Sequence, residues 1–312
     1  MAPTPPLFGR ILVPVDFSIH SRQALTYAAL IAAKNDARLV VLFVEDQLLA
    51  TAAAVAYDEK TLADKGRKEL RRMVERIVKP FRLPMKAVTL DIAIGRPAQV
   101  IADKAEKLGC DLIVMGAHGR TGANRLMIGS TTHRILRKSR LPVLATPPVK
   151  GRAARPPRNW PGKTAIAPVD FGPRDRADVL AAAVAARDLG VQLELVHVVE
   201  PIPDVPWLEL DEARRNQQRE RRAAARLTRL QDDVRWNVKA VRVETGKPGP
   251  VIASIAASSH VGLVVMTRRR GQGLFGPRQG SISYEVLCRS NTPVLALPSD
   301  TTWMRRVIQR AR

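Results

Sequence analysis

Short apolar runs alternate along the chain with longer amphipathic stretches. Arg10 to Val15 is a brief apolar run ending in Pro-Val-Asp. Ser21 to Lys34 then spaces its Ala and Leu residues as a helix does, with Ser18 or Ser21 placed as its cap. Arg38 to Val44 is a β-branched run, Asp58 to Lys79 reads as a long charged helix and Lys86 to Ile92 as another strand. Pro97 to Leu108 carries proline in its first turn, as helices tolerate, and Asp111 to Met115 reads as a buried strand. A glycine-rich loop, a helix from Ser130 to Lys138 and a strand from Val143 to Ala145 follow. This alternation predicts an α/β domain: an open five-stranded parallel sheet, doubly wound, with right-handed crossovers and helices on both faces. Ligands of such sheets sit beyond the carboxyl ends of the strands, near the switch in strand order. Asp16, at the end of strand one, Val44, at the end of strand two, and Gly116, after strand four, are placed there.

The pattern is then repeated. Ile11-Leu12-Val13-Pro14-Val15-Asp16-Phe17-Ser18 returns as Ala165-Ile166-Ala167-Pro168-Val169-Asp170-Phe171-Gly172. Gly95-Arg96-Pro97 returns as Gly246-Lys247-Pro248, and Leu141 to Pro147 returns as Thr292 to Pro298, always in the same order. Each repeat is long enough to bury a core of its own, so this is a duplicated domain and not a short-period solenoid. The expected division is a first domain over 1–148, a Pro- and Arg-rich linker over 149–162, a second domain over 163–299 and a basic tail over 300–312. In that tail Trp303, Val307 and Ile308 are spaced for one amphipathic turn docking on the body.

Composition narrows the function. Two cysteines, Cys110 and Cys288, stand at non-equivalent places in the repeat and read as buried thiols, which argues against a disulfide framework. The five histidines show no metal-ligand spacing, so no structural metal is expected. The longest apolar runs are strand-length and the N-terminus lacks a hydrophobic signal region, which predicts a cytoplasmic protein. The net charge of +22 invites a nucleic-acid reading. It divides evenly, however: residues 1–150 carry 24 basic and 13 acidic side chains, and residues 151–312 carry 27 and 16. With 4% aromatic residues to stack bases, charge supports non-specific association and not specific recognition. The densest cluster, Arg214 to Arg229, reads as the solvated face of a helix, with i,i+4 pairs involving Glu220.

The glycine loop carries the chemistry. Its pattern is Gly116-x2-Gly119-x9-Gly129-Ser130-Thr131. Glycines let backbone N–H groups approach a phosphate closely, and Ser130 and Thr131 add hydroxyls where a helix opens and its unpaired N–H groups favour an anion. The second copy keeps the closing Gly280-Ser281 but puts Thr267 at the place of Gly116 and Arg270 at that of Gly119, so its cradle is compromised and the domain reads as degenerate. Gly271-Gln272-Gly273-Leu274-Phe275-Gly276 fits G-x-G-x-x-G, but it follows a fourth strand and not a first, with Glu285 too near for the ribose acid, so it is not a dinucleotide fingerprint.

The Val-Pro-Val-Asp opening, Gly-Arg-Pro, Asp-Leu-Ile-Val-Met-Gly-Ala-His-Gly-Arg, the Gly-x2-Gly-x9-Gly-Ser-Thr spacing and the closing Leu-Pro-Val-Leu resemble the universal stress protein family in tandem form. The resemblance covers nearly the whole chain and implies an adenine nucleotide alpha hydrolase-like fold with ATP, accompanied by Mg2+, in the first domain. Carried over by position, it implies Asp16 and Val44 at the nucleoside end, with Met115, Gly116, His118, Gly119, Gly129, Ser130 and Thr131 along ribose and phosphates. It also implies an intramolecular pseudo-dimer through the last strands, 141–146 with 294–297, with homo-oligomers open.

The leading reading is a nucleotide-dependent stress-response module. The alternatives are a slow ATPase and a nucleotide-independent interaction or scaffold protein. Against an enzyme, the chain has no Gly-x-x-x-x-Gly-Lys-Ser/Thr loop and no evident residue to position a water. Plainer roles stand beside several of these residues: Asp16 capping its own loop, His118 covering the glycine loop, and His197 as a satisfied semi-buried histidine.

Overall fold

The computed structural model describes residues 6–45, 59–117, 128–149, 160–201, 212–268, 282–299 and 301–311. The chain divides into two compact units, Met1–Arg158 and Asn159–Arg312. Residues 150–159 of the expected linker lie outside the described residues, as do His118, Gly119 and the second copy's loop from 269 to 281.

In the first unit, β1 (Arg10–Val15), α1 (Ile19–Asn35), β2 (Arg38–Glu45), α2 (Glu59–Val78), β3 (Val88–Ile94), α3 (Pro97–Lys107), β4 (Leu112–Gly116), α4 (Ser130–Lys138) and β5 (Val143–Thr146) follow one another. The strands lie in the order β3-β2-β1-β4-β5, all parallel, so the order reverses between β1 and β4. Successive residues Ile11, Leu12 and Val13 are all fully buried, as are Leu112, Ile113 and Val114. Consecutive buried residues mean that both faces of the sheet are covered, the signature of a parallel α/β sheet.

The local signals account for most boundaries. Ser18 is the N-cap of α1, its hydroxyl accepting from the Ser21 N–H at 3.2 Å, which leaves Asp16 free to act elsewhere. Asp36 closes that helix in the left-handed conformation. The third strand begins two residues later than its apolar pattern suggests. Lys86 is drawn into a short 3-10 turn over Met85–Ala87, where the Ala87 N–H bonds the Pro84 carbonyl at 2.9 Å. The glycine loop's own strand includes Gly116 as its last residue, paired with Thr146.

The second unit repeats this plan with β6 (Thr164–Pro168), α5 (Asp175–Asp188), β7 (Gln192–Val199), α6 (Glu212–Val234), β8 (Val238–Thr245), α7 (Pro248–Ala256), β9 (Val261–Arg268), α8 (Ile282–Arg289) and β10 (Val294–Pro298). Its strand order is β8-β7-β6-β9-β10, again parallel. The tail is longer than the single turn its spacing suggests: α9 (Thr301–Ala311) buries Trp303, Met304 and Val307, and Arg310 bonds Asp188 at 2.8 Å, while Ile308 stays exposed.

The entry into β1 rests on one carboxylate. Asp111 Oδ2 accepts from the backbone N–H groups of Gly9 at 3.0 Å and Arg10 at 2.9 Å, tying the first strand to the start of the fourth. Asp111→Ala strands two donors and is expected to destabilise the first unit by about 2 kcal/mol, read as a lower urea midpoint. An unchanged midpoint would contradict this role.

Candidate functional site

At the switch between β1 and β4 a cavity of about 240 Å3 opens. It brings together Asp16, Val44, Met115, Gly116, Gly129, Ser130 and Thr131, seven of the nine residues picked from sequence. The other two, His118 and Gly119, lie outside the described residues. The cavity also takes in Ser18, Ser21, Pro97 and Ile101, which the loop pattern did not point to. Pro97 and Ile101 are on α3, and the Gly-Arg-Pro of the first copy, which returns as Gly-Lys-Pro in the second, was the available signal for that wall.

Asp16 sits one residue past β1. Its Oδ1 accepts from the Ser18 N–H at 3.0 Å, an Asx turn that holds the corner, while among the described residues Oδ2 accepts no hydrogen bond. The corner is sharp: Phe17 is in the left-handed region at φ 62°, which a bulky residue adopts only when its surroundings hold it there. Phe17 packs on Phe43 of β2, ring centres 5.1 Å apart. On β2, the Glu45 carbonyl accepts from Gly95 N–H at 3.0 Å on the β3 side. Alternation along the strand therefore turns the Val44 carbonyl to the opposite side, beyond the last paired residue of β1.

The other wall is the start of α4. Gly129 is its N-cap and offers no side chain, so no side-chain cap satisfies the first N–H groups of the helix. The macrodipole adds positive character here, and Arg137 and Lys138 sit at the opposite end, where cations suit it. The Gly129 N–H bonds the Ala117 carbonyl at 2.8 Å, and the Thr132 hydroxyl donates to the Gly116 carbonyl at 2.7 Å, which fixes the helix start against the end of β4. Ser130 and Thr131 line the cavity. The crevice is thus lined by the start of α4, by Asp16 and Val44 at the strand ends, and by Val15, Ile101 and Met115.

The second unit diverges at equivalent points. Thr267 pairs with Leu297 as Gly116 pairs with Thr146, so the register puts a side chain where the first unit has none. Ser283 stands where Thr132 does, fully buried, and among the described residues its hydroxyl has no partner. The corner itself is kept: Asp170 Oδ1 accepts from the Gly172 N–H at 3.2 Å, and Phe171 has φ 58°. His197 occupies the place of Phe43, its ring centre 4.1 Å from that of Phe171 and its Nδ1 2.8 Å from the Val169 carbonyl, a satisfied semi-buried histidine.

Fold and crevice together define an open doubly wound α/β domain with a cavity at the switch point of the first copy, the copy that has the glycine at the end of its fourth strand. The chain belongs to the universal stress protein family, whose model matches residues 7–147 and 162–298. A universal stress protein of Methanocaldococcus jannaschii is 30% identical over 142 residues, covering 44% of this chain and 81% of that protein. One of Mycobacterium bovis is 26% identical over 289 residues, covering 91% of this chain and 95% of that protein. The crystal structure of a universal stress protein from Archaeoglobus fulgidus shares the fold over 95% of this chain and 99% of that one, with a TM-score of 0.64 at 19% identity. No helix among the described residues is long and apolar enough to cross a membrane, and among them no cluster of His, Cys, Asp or Glu suits a metal ion.

Three histidines tie this architecture to pH. His20, on α1 beside the crevice, accepts from the Val149 N–H at 3.4 Å through Nδ1. Burial lowers its pKa, against the pull of Asp16. Burial also lowers those of His133, with Arg137 and Arg134 adding to it, and of His197. An unfolded imidazole takes its proton near pH 6.5 and these take theirs lower, so between the two values the unfolded chain binds more protons. Stability is therefore intact above about pH 6.5 and drains as the pH falls through the folded values. The melting temperature is expected to drop from about pH 7.5 to 5.5, and His20→Gln to flatten part of that drop. A flat profile in the parent protein would contradict the assignment.

Proposed function

We propose that the first unit binds ATP with Mg2+ in the crevice at the β1/β4 switch, and that the chain acts in the cytoplasm as a nucleotide-dependent stress-response module. The observation that carries this reading is the pairing, across one cavity, of an uncapped helix N-terminus with the strand-end Asp16 and Val44. Phosphate oxygens suit the N–H groups and hydroxyls at the start of α4. Ribose hydroxyls or an exocyclic amine suit the open oxygen of Asp16 and the carbonyl of Val44, and Val15, Ile101 and Met115 offer a purine its apolar contact. Met115, Gly116, Gly129, Ser130 and Thr131 are assigned to ribose and phosphates, together with His118 and Gly119 from the sequence motif. In the second unit Thr267 replaces the glycine at the end of the fourth strand, which supports a degenerate domain and one nucleotide per chain.

Calorimetric titration with Mg-ATP tests this. One site per chain is expected, lost in Gly119→Arg, which imposes the second copy's residue, and weakened about tenfold or more in Asp16→Ala. Nucleotide-free protein that takes up no ATP would sink the reading and leave a scaffold. Hydrolysis that survives purification and disappears in Gly119→Arg would make the protein an enzyme instead.

The tandem repeat supports an intramolecular pseudo-dimer, one chain supplying both halves of a pairing that single-domain chains make between themselves. A 34.3 kDa monomer in sedimentation is then the expected species, and an obligate larger assembly would count against it.

A further inference from the structure

The arginine-rich helix of the second unit does not present a purely solvated face. Arg219, Arg222 and Arg226 recur at three- and four-residue spacing on one side of α6, and with Phe171, His197 and Val199 they enclose a pocket of about 220 Å3. Glu220, which the sequence suggested as an ion-pair partner within the helix, instead accepts from the Thr245 hydroxyl at 2.6 Å. Strand alternation separates this pocket from the switch-point crevice. Val198 is the counterpart of the crevice residue Val44, so its neighbours His197 and Val199 point to the other face of the sheet.

Two of the guanidinium groups are fixed by backbone carbonyls. Arg219 Nη1 donates to Glu200 O at 2.6 Å, and Arg226 Nη2 donates to Phe171 O at 2.9 Å while lying 4.5 Å over the Phe171 ring. Neither bond exhausts the five donors of its group. Arg222, exposed and placed between them along the helix face, makes no hydrogen bond or ion pair among the described residues. The nearby counter-charges are Asp175, 3.6 Å from Arg226, and Asp170, whose charge reaches His197. Among the described residues, the interactions at this pocket thus set three guanidinium groups against the carboxylates of Asp175 and Asp170. Burial depresses the His197 pKa most, the Val169 carbonyl raises it, and Arg226 and Arg219 depress it further against the pull of Asp170.

We propose that this pocket binds a small multivalent oxyanion of the phosphate class, held by Arg219, Arg222 and Arg226 beside His197. Pre-positioned guanidinium forks match phosphate oxygens bidentately, and the two carbonyl bonds reduce the ordering that binding requires. The site is independent of the nucleotide crevice of the first unit.

The test is calorimetry with inorganic pyrophosphate, and separately with free phosphoserine, at about 0.15 M salt to screen diffuse charge. It uses the full chain carrying Thr131→Glu, which places a carboxylate at the uncapped start of α4 and closes that route to anions whether or not the crevice binds ATP. One pyrophosphate per chain is expected, weakened about tenfold or more by Arg222→Ala and unaffected by Arg221→Ala on the opposite side of the helix. Phosphoserine binding at the same site extends the ligand class to phosphomonoesters, and its failure restricts the site to the inorganic anion. No pyrophosphate binding in the Thr131→Glu chain, binding indifferent to Arg222→Ala, or equal loss in Arg221→Ala would overturn the proposal. Unchanged circular dichroism establishes that the variants remain folded.

Discussion

Burial of both faces of each parallel sheet is the constraint on which the rest depends. Ile11, Leu12 and Val13 in one unit, and Ala165 and Ile166 in the other, are almost wholly out of water. A polar group along such a strand lacks water on either side and is costly without a partner. Ligand-facing groups are therefore confined to the strand ends. At the switch point the chain leaves β1 in one direction and β4 in the other, and no neighbouring strand continues to cover what they expose. Asp16, the Val44 carbonyl and the start of α4 gather there because the interior excludes them.

The corner after the first strand shows how one device serves both units. An Asx turn from Asp16 or Asp170 holds the next phenylalanine in the left-handed region, and the ring folds back onto the second strand. At Asp16, holding the corner takes one carboxylate oxygen, and among the described residues the other accepts no hydrogen bond. What differs between the units is laid over this common frame: glycine or threonine at the end of the fourth strand, threonine or serine beneath it, phenylalanine or histidine opposite the corner ring. None of these exchanges shifts the strand register, which is why the fold survives them.

Most of the architecture was legible in the sequence because each strand is a short apolar run and each helix a periodic one, and because the repeat supplied every boundary twice. The extra residue Glu45 at the end of β2 and the 3-10 turn at Lys86 were not legible, since they follow from hydrogen bonds to Gly95 and Pro84 and not from hydropathy. In the crevice, the glycines, Ser130 and Thr131 stood out by spacing. Ser18, Ser21 and Ile101 did not, because a helix cap and a helix side chain look alike whether or not they border a cavity. The arginines of α6 were the larger miss. A run of basic residues reads as solvent-facing unless the strands beneath it are known, and the carbonyls of Phe171 and Glu200 that hold two of them are distant in sequence.

The exchange of Phe43 for His197 has a consequence for how a duplicated protein diversifies. Both rings pack at the same position against the same corner ring. Yet the exchange replaces a hydrocarbon surface with a ring that accepts and donates, beneath a helix already rich in guanidinium groups. A duplicated domain offers each packing position twice, and one exchange at such a position gives the two copies different polar surfaces on the same fold.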